Sequence, residues 1–195
     1  SFEPQASGYS RPEAVYANLI KRGDGTFELA HFSGEVWRFD SNGWLASVQS
    51  WDGQSATYAY DATGLVTHVG HTAGYGVDFS YQGGRLTEAR AADGRVVTYA
   101  YDASKNLASV TDPAGATTSY GHDDAGRITA ITDADGVVLV ANTYDATGRV
   151  VRQATPGGTA TFAYDDAGLV TTVTDETTGN TSTFTHDAMG HLTAM

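Results

Sequence analysis

The chain contains no cysteine, which excludes disulfides, thiolate metal sites and cysteine nucleophiles. Cysteine content leaves the compartment open, because secreted bacterial proteins also lack it often. Positive charge is scarce: 11 Lys and Arg stand against 23 Asp and Glu, for a net charge of −12. That balance argues against general affinity for nucleic acid or for anionic membranes, and it tolerates a cationic partner better. Charged residues of both signs reach only 17%. There is no apolar run of about 18 residues, so no membrane-spanning helix is expected. The opening SFEPQASGYSRPEA has neither an initiating Met nor a signal-peptide hydrophobic region, and it reads as the start of a piece of a longer chain.

What is present is strand and turn chemistry. Within 195 residues, 41% are apolar, enough to fold, and Gly (23) and Thr (26) are abundant, which favours strands and turns over helices. An internal repeat then dominates the sequence. Aligned on an aromatic residue followed by Asp, it runs through Phe39-Asp40, Tyr60-Asp61, Tyr81-Gln82, Tyr101-Asp102, His122-Asp123, Tyr144-Asp145, Tyr164-Asp165 and His186-Asp187, at intervals of 20 to 22 residues. Two positions earlier stand Trp37, Tyr58, Phe79, Tyr99, Tyr120, Asn142, Phe162 and Phe184. Residues two apart share one face of a strand, so these columns predict adjacent aromatic stripes on one side of a sheet.

After the anchor the sequence turns. Asp40 to Gly43, Asp61 to Gly64, Asp123 to Gly126, Asp145 to Gly148, Asp165 to Gly168 and Asp187 to Gly190 place an Asp that caps a turn three residues before a Gly that accepts positive φ. A second strand follows, with Leu45, Val66, Leu86, Leu107, Ile128, Val150, Val170 and Leu192 in one apolar column. Three residues further on comes a second column: Val48, Val69, Ala89, Val110, Ile131, Gln153, Val173 and Met195. Strict alternation would put the two columns on opposite faces, so the spacing predicts either a bulge or a sheet apolar on both sides. Asp52-Gly53, Asp93-Gly94, Asp112 to Gly115, Asp135-Gly136, Pro156 to Gly158 and Thr177 to Gly179 close the strand, making each repeat one hairpin. Two repeats depart from the pattern: Tyr81-Gln82-Gly83-Gly84 lacks the Asp, and the Tyr101 repeat has Lys105-Asn106 where Gly is expected, with Asn tolerating the left-handed region.

Residues 1–33 form a leading segment in which Ala14 to Lys21 and Thr26 to Phe32 read as one more hairpin, covering an edge, and residues 34–195 hold eight repeats. Eight hairpins with strands about 4.8 Å apart make a sheet roughly 75 Å long, which is expected to curl. Met195 falls on the last apolar position of its repeat with no closing turn. Because repeat arrays need capped ends, the native polypeptide is expected to continue. An unpaired last strand also invites self-association at the edge.

The pattern Tyr-Asp-x-x-Gly-(Arg)-Leu, as in Tyr60 to Val66, HDDAGRI (His122 to Ile128) and YDATGRV (Tyr144 to Val150), with the Asp112 to Gly115 turn, resembles the YD repeat of the Rhs family over residues 34–195. The leading GDGTFEL…GEVWRFDSNGWL also resembles the segment that introduces such an array. The resemblance implies an all-β fold of consecutive antiparallel β-hairpins forming one long twisted, curling sheet, an arc of a hollow shell. In Rhs polymorphic toxins, toxin-complex C components and teneurins such arrays spiral into a shell, and in bacterial members the shell encloses a C-terminal toxin. The implied function is structural, in a secreted or cell-surface bacterial protein, with the rest of the same polypeptide and its cargo as partners. Carbohydrate binding has been linked to some members. The family's autoproteolytic Asp-Pro-x-Gly-Leu region is not matched, because Asp112-Pro113 is followed by Ala114-Gly115-Ala116 and sits mid-array, so that activity does not transfer.

Candidate sites compete with simpler readings. Asp133-Ala134-Asp135-Gly136 opens like a calcium loop, but Val137 to Tyr144 supply no ligand series, and recurrence of the seven anchor aspartates at one turn position points to capping. His68 and His71, or His122 beside Asp123 and Asp124, lack a third ligand at suitable spacing; Ser119 near His122 lies in no nucleophile elbow. No catalytic residue, cofactor or metal site is expected. Tyr60, Asp61, Gly64, Tyr101, Asp102, Tyr144, Asp145, Gly148, Tyr164, Asp165 and Gly168 are expected to define the repeat structurally. Of Trp37, Trp44 and Trp51, the latter two fall outside the aromatic columns and are the candidates for an exposed ligand contact. They support the alternative of a stand-alone surface module that binds carbohydrate or a protein partner.

Overall fold

A computed structural model describes residues 3–5, 8–10, 16–165 and 169–195. It divides into two compact units, Ser1–Thr98 and Tyr99–Met195. The first holds β1 (Glu3–Gln5), β2 (Gly8–Ser10), β3 (Ala17–Lys21), β4 (Phe27–His31), β5 (Val36–Phe39), β6 (Leu45–Gln49), β7 (Ser55–Tyr60), β8 (Val66–His71), β9 (Gly76–Gln82), β10 (Arg85–Ala91) and the start of β11 (Val96–Tyr101). The second holds the end of β11, then β12 (Leu107–Thr111), β13 (Thr117–His122), β14 (Ile128–Thr132), β15 (Val138–Tyr144), β16 (Val150–Thr155), β17 (Gly158–Tyr164), β18 (Val170–Asp175), β19 (Thr181–His186) and β20 (Leu192–Ala194).

Apart from the β1–β2 ladder, strands β3 to β11 in the first unit and β12 to β20 in the second each pair antiparallel with their neighbours in sequence. The expected all-β succession of hairpins is therefore the architecture of each unit, and no helix occurs among the described residues. In the leading segment β3 pairs with β4 from Ala17↔His31 to Lys21↔Phe27. Ala14, where the sequence reading starts that hairpin, lies outside the described residues.

The spacing of three between the apolar columns is resolved by bulges. Phe39 faces Leu45 and Trp37 faces Val48, with a register shift between Arg38 and Phe39, so the second strand carries one residue more than the first. The same shift separates Tyr60↔Val66 from the Ala59↔His68 and Tyr58↔Val69 pairs, and recurs in β13–β14 and β15–β16. The extra residue returns both columns to the aromatic face. The other possibility, a sheet apolar on both sides, is not what forms: Thr57, Ala59, Asp78, Ser80, Thr98 and Ala100 stand exposed on the opposite face. The β17–β18 pair is the exception, with Phe162↔Val173 and Tyr164↔Thr171 in unshifted register.

Within each unit the described strands touch their neighbours in sequence. Among the described residues Ala17 is the one buried hydrophobic residue, and the aromatic columns are half-buried by their neighbours along the sheet. Packing is therefore lateral, repeat against repeat, as in quasi-one-dimensional arrays.

Candidate functional site: the aspartate turns and tyrosine columns

The repeat-defining residues build one device, copied along the sheet. At Asp61 the carboxylate Oδ1 accepts the backbone N–H of Thr63 at 2.8 Å and of Leu65 at 3.0 Å, and the Thr63 hydroxyl at 2.7 Å. Backbone bonds from Asp61 N to Leu65 O (2.9 Å) and from Gly64 N to Asp61 O (3.1 Å) close the loop. Gly64 completes it at φ +88°. Asp145 repeats the arrangement with Thr147 and Arg149, and Gly148 again takes φ +88°. Asp102 accepts from Asn106 N at 2.8 Å, and Asp165 from Leu169 N at 2.8 Å. Gly168 lies outside the described residues. The Thr63 hydroxyl, then the Leu65 amide, hold the Asp61 carboxyl below its ordinary value. The Thr147 hydroxyl and Arg149 amide do the same for Asp145. Such donors stabilise the ionised form, so these aspartates are anionic caps.

Two turns refine the sequence reading. In the Tyr101 repeat the left-handed residue is Lys105, at φ 72°, and not Asn106. Asn106 instead serves the cap, its amide nitrogen Nδ2 donating to Asp102 Oδ2 at 3.2 Å. The calcium-like run beginning at Asp133 is another capped turn: Asp133 Oδ1 accepts from Asp135 N at 3.0 Å and Val137 N at 2.8 Å. Asp112 caps in the same way through Ala114 and Ala116.

The anchor tyrosines join each hairpin to the one before it. Tyr60 Oη donates to Leu45 O at 2.9 Å, Tyr81 to Val66 O at 2.8 Å, Tyr144 to Ile128 O at 2.6 Å and Tyr164 to Val150 O at 2.7 Å. Each acceptor is the first residue of the strand that follows a turn. The β6–β7 ladder runs only from Gln49↔Ser55 to Ser47↔Thr57, so Leu45 lies past its last pair. A phenol from the following strand thus satisfies a carbonyl that the ladder leaves open. Burial pushes the Tyr164 hydroxyl up from its ordinary pKa.

The arginine of the motif has a role that the sequence reading did not assign. Arg127 pairs with Asp123 Oδ2 at 2.7 Å while its guanidinium lies 4.5 Å from the Tyr144 ring centroid. Arg149 pairs with Asp145 Oδ2 at 2.9 Å and lies 4.4 Å from the Tyr164 centroid. One planar cation therefore locks its own turn and the next repeat's anchor. Trp44 occupies the same column, with its ring 5.2 Å from that of Tyr60. It is half-buried, contrary to the exposure expected of it, because it follows the turn glycine where the neighbouring anchor packs. Trp51 is 81% exposed, on the opposite turn row. The use of Tyr rather than Phe at Tyr60, Tyr81, Tyr144 and Tyr164 was the available signal for the hydroxyl bonds, since the preceding column accepts Phe79, Phe162 and Phe184.

The histidines do not gather. His68 Nδ1 contacts Asp78 Oδ1 at 2.6 Å across β8 and β9. Among the described residues no three His, Asp or Glu side chains converge to hold a metal ion.

Three comparisons bear on this geometry. No curated protein matches the chain. Among solved structures, the crystal structure of TcdB2-TccC3 without its hypervariable C-terminal region matches with TM-score 0.63 at 14% identity, over 91% of this chain and 12% of that one. TcdB2-TccC3 itself gives 0.58 at 15% identity, over 82% and 11%. A mutant Photorhabdus luminescens Tc holotoxin pore gives 0.57 at 15% identity, again over 82% and 11%. The chain thus spans about a tenth of the length of the proteins it resembles in fold. The RHS Repeat family model matches residues 39–75, 82–117, 101–138, 144–178 and 164–195. With the capped turns and anchor tyrosines recurring through those same residues, the chain belongs to the RHS repeat family.

Proposed function

We propose that this chain is a structural segment of an RHS-repeat shell, a stretch of wall that encloses a toxin or other cargo carried by the same secreted bacterial polypeptide. The observation that carries this reading is the lateral packing: among the described residues one hydrophobic side chain is buried, and the aromatic columns are half-buried beside neighbouring strands. A module that acts alone buries its apolar face against a second layer, whereas a wall is stabilised along its length. The fold likeness to Tc assemblies agrees with a wall, as does a repeat whose polar groups are committed to caps and inter-repeat bonds. No residue has a catalytic role in this reading. The acidic balance of −12 suits a basic cargo and also keeps the surface soluble.

The test is the intact mass of the native polypeptide, detected in its source with an antibody against residues 16–165. A species many times larger than 20.5 kDa, carrying a segment that resists protease until the chain is denatured, is the expected result. A native species near 20.5 kDa would sink the enclosure reading, because these hairpins are too few to surround a folded protein.

A further inference from the structure

The turn that joins β5 to β6 carries a reactive pair of residues. The chain has five asparagines, and the residues that follow them are Leu19, Gly43, Leu107, Thr143 and Thr181. A leucine or a β-branched threonine shields its own backbone nitrogen, whereas a glycine leaves that nitrogen open to close approach. Asn42 and Gly43 are both exposed, and a Cβ on Gly43 would meet nothing within 4 Å. Water and the Asn42 side chain therefore have room around the Gly43 nitrogen. Asn142, by contrast, sits within β15 and is paired with Gln153.

The Asn42 side chain also has a defined place in the cap. Asp40 Oδ1 accepts the backbone N–H of Asn42 at 2.9 Å and of Trp44 at 2.8 Å, while Asp40 Oδ2 accepts from Asn42 Nδ2 at 3.2 Å. Asn106 donates to the Oδ2 of its own anchor, Asp102, at the same 3.2 Å, but it precedes Leu107. In the other six turns with an anchor aspartate, the position of Asn42 holds Thr63, Ser104, Ala125, Thr147, Ala167 or Met189, a neutral side chain each time. A carboxylate there would face Asp40 Oδ2 with no proton to donate, replacing a charge-assisted bond by like-charge repulsion.

We infer that Asn42 is a site of spontaneous deamidation, and that its acidic product loosens the Asp40 cap. The Gly43 nitrogen gives its proton to hydroxide and attacks Asn42 Cγ; the bond from Cγ to Nδ2 breaks, and ammonia leaves with a proton from water. The cyclic imide then adds water and opens, at Cγ to give an aspartate or at the backbone carbonyl to give an isoaspartate. The sum is amide plus water to carboxylate plus ammonium. Attack requires the Gly43 N–H to release Asp40 O, to which it donates at 3.0 Å, so the reaction proceeds from the opened turn. Asp52, Asp93 and Asp135 also precede glycines, but a carboxylate oxygen leaves far less readily than ammonia. The isoaspartate form adds one carbon to the backbone before Gly43. That displaces the Trp44 N–H from Asp40 Oδ1, and with it the ring that packs 5.2 Å from Tyr60 of the next repeat.

The test is to hold the 195-residue chain at mildly alkaline pH and body temperature and to follow amide loss by mass in the tryptic peptides 39–85 and 106–127, each of which contains one asparagine. Loss at Asn42 is expected to be at least about tenfold faster than at Asn106, because the two share a bond to an anchor carboxylate and differ in the residue that follows. Gly43→Ala should slow it towards the Asn106 rate, even though that change weakens the turn. The deamidated chain, separated by its added negative charge, should unfold at a lower urea midpoint than wild type. Asn42→Asp, which supplies the charge without the longer backbone, should show part of that decrease. Equal loss at Asn42 and Asn106, or a rate indifferent to Gly43→Ala, would overturn the site. A deamidated chain that unfolds at the wild-type midpoint would overturn its effect on the cap.

Discussion

Lys105 offers a direct test of the turn chemistry, because it stands in the glycine column with φ 72° while its equivalents Gly43, Gly64, Gly126, Gly148 and Gly190 are glycines at +76° to +88°. An L-residue in the left-handed region is disfavoured by about 1–2 kcal/mol, since its Cβ crowds the following carbonyl. Lys105→Gly removes that crowding. It also gives the unfolded chain more freedom, which opposes the gain by about 0.4–1 kcal/mol. The Asp102 cap is untouched, because it is made by the Asn106 amide and the backbone of the loop. The net expectation is a stabilisation of about 0.5–1 kcal/mol, read as an increased urea midpoint at unchanged slope. Lys105→Ala is the control: it removes the lysine side chain but keeps the Cβ, so it should not gain. If Lys105→Gly melts at or below the wild-type midpoint, or if Lys105→Ala gains as much, then left-handed strain does not limit this turn.

Three further expectations follow from the same device. Tyr60→Phe, which deprives Leu45 O of its phenol, should cost about 0.5–1.5 kcal/mol in urea unfolding, whereas Phe162→Tyr in the neighbouring column should gain nothing; equal effects would dissociate the hydroxyl from the ladder end. Gly43→Ala meets nothing within 4 Å and should show only the left-handed penalty, about 1 kcal/mol, while Gly64→Ala drives a Cβ to 3.0 Å from the Trp44 ring and should cost about 2 kcal/mol; equal costs would mean that Trp44 yields freely. The capping carboxyls Asp61 and Asp145 are held below the ordinary value, so their stabilisation is complete above about pH 4 and is lost as pH falls through their folded-state values. A pH series of urea melts should therefore be flat from pH 5 to 8 and fall below pH 4. Asp145→Asn should be less stable than wild type at pH 7, with the gap narrowing in acid; a gap that widens there would reverse the assigned sign.

The hairpin architecture was legible because its determinants are local and repeated. An aromatic two residues before an aromatic-Asp pair, a Gly three residues after the Asp, and an apolar residue two positions beyond fix strand, turn and strand in any one copy. Repetition identified the family on top of that. The assignment of the aspartates to caps was legible for the same reason, since a side chain that bonds its own backbone two and four residues on needs no distant partner.

What the tertiary structure decided were the contacts between copies, where the partner comes from 14 to 18 residues away. The spacing of three between the apolar columns fits a bulge or a two-faced apolar sheet equally well as a string of letters, and only the cross-strand register selected the bulge. Trp44 and Trp51 are both tryptophans outside the columns, yet one follows a turn glycine beside the next anchor tyrosine and the other tips a turn in the opposite row. Arg127 and Arg149 look like optional motif letters until the neighbouring strand brings Tyr144 and Tyr164 beneath them. Sequence by itself determined the hairpin, because backbone preference and capping act within a few residues. Register, stacking and exposure were left to the fold, because they depend on which residue the adjacent strand places about 5 Å away.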